Sequence, residues 1–126
     1  MAITVKPVQP LIGAEIEGID LMSVTGDEIA ELRAALLRYK VIFFRNQNLE
    51  RAQHVALGEA FGELEVHPLS VHPDFPALLE IASNGDVSEG REAPAADHWH
   101  SDTTFRERPS MGSILKATVL PSLGGD

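Results

Sequence analysis

The chain has 126 residues, the size of one ordinary domain, and its 44% hydrophobic and 23% charged residues are a globular balance. A net charge of -9 at pH 7, with 19 acidic residues against 10 scattered basic ones, argues against nucleic acid as a partner, because phosphate binding needs clustered Lys and Arg. There is no cysteine, which excludes disulfides, thiolate–zinc sites, iron–sulfur clusters and thiol catalysis.

The opening MAITVKPVQP carries no long apolar stretch of the secretory kind. The run VIFF at 41–44 is far too short to span a bilayer, so no membrane and a cytoplasmic location are expected. ITVKPV (3–8) and GAEIEGIDL (13–21) alternate apolar and polar residues, which predicts two short strands with turns. TGDEIAELRAALLRYK (25–40) predicts a helix. Thr25 and Glu28 make a capping box, and Ile29, Leu32, Leu36 and Tyr39 share a face. Arg38 and Lys40 sit where the helix dipole favours positive charge.

VIFF, β-branched and aromatic, predicts a buried strand that runs into a polar turn, FRNQN. Asn48 is a candidate cap for a second helix over about 49–61, with Ala52, Val55, Ala56 and Ala60 inward and Gly62 as its stop. LLEIAS (78–83) and SILKATVL (113–120) predict further strands. NGDVSEGREAPAAD (84–97) is a long loop by composition, and HWHSDTTF (98–105) reads as extended. The turn residues PSLGGD then close the chain, which predicts a single, incomplete domain over 1–126.

DHWHSD at 97–102 holds the chemistry. In an extended segment residues i and i+2 project to one face, so His100 and Asp102 can reach one ion. A His-x-Asp pair with a distant histidine is the recipe of a facial-triad iron site. Short motifs also arise by chance, at about 0.3 matches for this composition. A second match, His72-Pro73-Asp74, lies in the turn-like VHPDFP and reads as a decoy. Spacing alone leaves both half a metal site and a solvated loop open. His54 reads as a solvated helical residue, and His98 faces away from His100. No Gly-x-Ser-x-Gly elbow, P-loop or dinucleotide fingerprint is present.

Five stretches together carry a resemblance: IGAEIEGIDL, LRYKVIFFRNQNL, AFGELEVHP, WHSDTTF and LPSLGGD. In order and spacing they resemble the taurine dioxygenase family of Fe(II)- and 2-oxoglutarate-dependent oxygenases, which includes alkylsulfatases and aryloxyalkanoate dioxygenases. The resemblance implies an α+β, mainly β fold, a double-stranded β-helix (jelly roll) with flanking helices, of which this chain is the N-terminal part. It implies His100 and Asp102 as iron ligands, with Trp99 a packing neighbour. It implies His67 as a hydrogen-bond donor to a sulfonate or sulfate oxygen.

Ser70 and Ala96 stand where taurine-using members carry a tyrosine and an asparagine, which points to a less polar substrate such as an alkyl sulfate. The third iron ligand and the 2-oxoglutarate-binding residues are expected downstream of Asp126. The implied reaction hydroxylates a small anionic organic substrate with dioxygen and releases succinate and CO2; this chain alone is expected to be inactive. Open sheet edges of a partial jelly roll would favour a homo-oligomer. Two other classes fit the residues taken alone: a non-catalytic acidic binding domain, and an oxygen-independent metal hydrolase.

Overall fold

A computed structural model describes residues 3–68, 72–80, 99–120 and 122. The chain divides into two units, Met1–Leu79 and Glu80–Asp126. The first contains strands β1 (Thr4–Pro7) and β2 (Ala14–Glu17), helix α1 (Gly26–Tyr39), strand β3 (Ile42–Phe44) and helix α2 (Arg51–Phe61). The strands form one sheet in the order β1-β2-β3. β1 runs antiparallel to β2, and β3 runs parallel to it.

The parallel pair is made by α1, which carries the chain back to the start of β3. Register follows burial. Val5 pairs with Ile16, and Ile16 with Phe44, so three apolar side chains line up across the sheet. On the other face Glu17 pairs with Lys6 at 2.6 Å and Glu15 with Arg45 at 2.7 Å. The two faces therefore differ as the period-two alternation requires.

Gly13 joins the β1–β2 turn to the helix end. Its carbonyl accepts from the Val8 amide at 2.8 Å, and its own amide donates to the Tyr39 carbonyl at 2.9 Å. Its φ of 87° lies in the left-handed region that glycine enters without cost.

α1 starts as its sequence predicts. Thr25 is the N-cap, and the box closes in both directions with Glu28. Leu32 and Ala35 are buried, with Ile29 packed beside them. The helix ends at Lys40, whose φ is 69° and whose ammonium donates to the Leu37 carbonyl at 2.6 Å. Ile16, Leu21, Leu32, Ala35, Leu49 and Leu57 form the core, with Val5, Ile42, Phe44 and Phe61 against it.

Several expectations need correction. VIFF is half-buried rather than buried: it forms β3 with Phe43 39% exposed, because β3 lies at the edge of the described sheet. Asn48 does not cap α2. Glu50 occupies the N-cap and makes no side-chain capping bond, while Leu49 enters the core. Ala52, Ala56 and Ala60 are exposed and Val55 half-buried; the inward residues are Leu57 and Phe61. Larger side chains gain more by leaving water, so they set the helix phase. Gly62 does end α2.

Residues 78–80 and 113–120 are not strands. Alternation marks a segment able to pair, but a strand exists only when a neighbour takes its amides and carbonyls. The segment after Ser101 is not extended either. It turns over Asp102–Phe105, with Thr103 at φ 53°. Residues 81–98, including the expected long loop, lie outside the described residues. Of the expected jelly roll, the described residues show the three-stranded sheet and two helices, and no closed barrel. Among the described residues no helix is long and apolar enough to cross a membrane.

Candidate functional site

In the second unit, His100 Nε2 stands 3.2 Å from Asp102 Oδ1. The pair does not sit on a strand: a turn begins at Asp102 and runs to Phe105. The Arg106 amide donates to the Thr103 carbonyl at 2.9 Å, and the Ser110 amide donates to Thr103 Oγ1 at 3.0 Å. Thr103 thus holds both ends of the loop that follows the pair. The loop returns Ser113 to Asp102, where Ser113 Oγ lies 3.4 Å from Oδ2. The two carboxylate oxygens therefore face different partners.

The pair is open to solvent, with the His100 side chain 58% and the Asp102 side chain 66% exposed. An imidazole and a carboxylate so placed can share a proton or a cation. Among the described residues no cluster of three or more His, Asp or Glu comes together. Trp99, expected to pack, is fully exposed. No described side chain of this unit is buried.

His67 belongs to the first unit and is half-buried. The chain leading to it is fixed against α2. Leu64 approaches Gly58 so closely that a Cβ there would stand 2.8 Å from Leu64 Cδ2. Arg33 of α1 donates to the Phe61 carbonyl at 3.0 Å, which ties the end of α2 to α1. Ser70, Ala96 and His98 lie outside the described residues.

His72, read as a decoy, engages its own turn. Its Nδ1 accepts from the Phe75 amide at 3.1 Å, and the two rings lie 5.3 Å apart. It serves a local turn. His54 is half-buried rather than solvated, because α2 turns Leu57, three positions on, into the core. Ser113 is the site neighbour that the sequence did not disclose: no helical or strand spacing links it to Asp102.

The chain belongs to the taurine catabolism dioxygenase TauD, TfdA family, whose model matches residues 4–126. It is 35% identical to an alpha-ketoglutarate-dependent sulfate ester dioxygenase of Pseudomonas putida, over all of this chain and 40% of that protein. It is 31% identical to an alpha-ketoglutarate-dependent 2,4-dichlorophenoxyacetate dioxygenase of Cupriavidus pinatubonensis, over all of this chain and 49% of that one. The chain thus spans less than half the length of these curated relatives. The crystal structure of a taurine dioxygenase from Burkholderia xenovorans superposes with a TM-score of 0.54 at 48% identity, over 59% of this chain and 28% of that one.

Proposed function

We propose that this chain supplies two metal ligands, His100 and Asp102, to an Fe(II)- and 2-oxoglutarate-dependent dioxygenase that hydroxylates a small anionic organic substrate and belongs to a jelly-roll fold. The observation that carries the reading is the 3.2 Å between His100 Nε2 and Asp102 Oδ1, inside the family-matched segment. Two donors on adjacent corners of an octahedron with bonds of about 2.1 Å stand about 3.0 Å apart. The residues present therefore fit the ion. One neutral nitrogen and one anionic oxygen also suit Fe(II) chemically.

When bound, iron with 2-oxoglutarate supplies the dioxygen chemistry that oxidises a substrate C–H bond and yields succinate and CO2. The chain's own residues hold and orient. His100 and Asp102 present two donors from one short segment. His67 is assigned to the substrate anion, to which its imidazole N–H donates a hydrogen bond, strengthened if the ring is protonated. Ser70 and Ala96, in place of larger polar residues, favour a sulfate ester or alkyl sulfonate over taurine. Turnover of taurine as fast as that of an alkyl sulfate would remove this preference.

The test is an anaerobic visible spectrum of the intact protein with Fe(II) and 2-oxoglutarate. The reading expects a charge-transfer band in the wild-type protein that His100→Ala and Asp102→Ala each abolish. A band that persists in both variants would overturn it.

A further inference from the structure

We propose that Ser113 is a positioning residue for Asp102, holding by a hydrogen bond the carboxylate oxygen that does not face His100. The proposal rests on the reading of His100 and Asp102 as metal ligands. An aspartate can offer a metal either oxygen or both, and its terminal torsion is broad and roughly two-fold. Nothing in an exposed carboxylate selects one oxygen unless a second group engages the other.

Here the two oxygens are distinguished. Oδ1 faces His100 Nε2 at 3.2 Å, and Oδ2 faces Ser113 Oγ at 3.4 Å, eleven positions along the chain. A hydroxyl suits this role. It donates one hydrogen, carries no charge to compete with a cation, and leaves the lone pairs of Oδ1 directed at the ligand position. The contact is longer than the usual O–H···O range of about 2.5–3.0 Å. It is therefore a light restraint on an exposed side chain whose other oxygen faces His100.

The restraint has a scaffold behind it. Thr103 accepts from the Arg106 amide and, through its hydroxyl, from the Ser110 amide, so the loop that carries Ser113 back is tied at two points. Ordering a carboxylate costs conformational entropy at the moment a metal binds. A partner already within reach lowers that cost, and neighbours of metal ligands commonly matter about 10–100-fold in metal affinity. The length and exposure of this contact put Ser113 at the lower end.

The test is Mn(II) binding to the intact protein without cosubstrate or oxygen, with free Mn(II) read by its electron paramagnetic resonance signal. Ser113→Ala is expected to bind Mn(II) about tenfold more weakly. Ser113→Thr, which keeps the hydroxyl, is expected to restore binding. Ser113 is exposed, so both metal-free variants should unfold at the wild-type temperature. Wild-type affinity in Ser113→Ala, or an equal loss in Ser113→Thr, would overturn the positioning role alone. Unchanged Mn(II) binding in His100→Ala would remove the metal site itself, and this proposal with it.

Discussion

The Leu21 amide donates to Gln47 Oε1 at 2.9 Å, joining the turn after β2 to the turn after β3 across 26 positions. The same amide group of Gln47 donates through Nε2 to the carbonyls of Ile19 and Arg45, each at 3.2 Å. One side chain thus satisfies backbone groups in two turns at once. Gln47→Leu removes all three bonds and leaves a part-buried amide unpaired. It should cost about 1–3 kcal/mol, read as a lower midpoint in urea with an unchanged slope.

The capping box predicts an acid limb in the stability profile. Glu28 has its pKa lowered, first by the Thr25 backbone amide and then by the Thr25 hydroxyl, both donating to its carboxylate. A depressed folded-state pKa means that its contribution is complete above the unfolded glutamate value of about 4.3. It is lost as pH falls through the lower folded-state value. Glu28→Gln should therefore lose stability relative to wild type at neutral pH and approach it below about pH 4. Thermal melts across that window would show the two curves converging; parallel curves would contradict the assignment.

The two His-x-Asp pairs should separate cleanly. Replacing His72 and Asp74 together by alanine should leave Mn(II) affinity unchanged, since His72 serves the Phe75 amide. Replacing Asp102 by asparagine, which removes the anionic donor, should reduce affinity by well over the tenfold expected for a mere neighbour. Titration of each variant by electron paramagnetic resonance distinguishes them.

Core and turn substitutions should differ in size. Leu32 is fully buried in α1, so Leu32→Ala should cost about 2–5 kcal/mol. At Gly13 a Cβ would meet Val8 Cβ at 3.5 Å, an ordinary contact. The penalty of Gly13→Ala is therefore that of its positive φ, about 1–2 kcal/mol. Denaturant midpoints in the same background would rank the two.

What could be read from the residues depends on how local the cause is. α1 was legible because its cap and its apolar stripe lie within one segment. The parallel pairing of β2 with β3 was not, since it depends on where α1 delivers the chain. α2 was found with its inner face misassigned: alanines favour a helix whichever way they point, whereas Leu57 and Phe61 decide the phase. The closeness of His100 and Asp102 followed from their spacing, although a bend at Thr103 stands where a strand was expected. Ser113 reaches Asp102 through a loop return that no periodicity encodes.

All strand pairing and every buried side chain among the described residues falls between residues 3 and 61. During synthesis the chain leaves the ribosome in that same order. The partners described for the first unit have therefore all been made before His100 and Asp102 exist. Vectorial folding is the consequence: protease resistance over residues 3–61 should be present in nascent chains arrested short of residue 99, and the ligand-bearing segment should emerge after the first unit has begun to form.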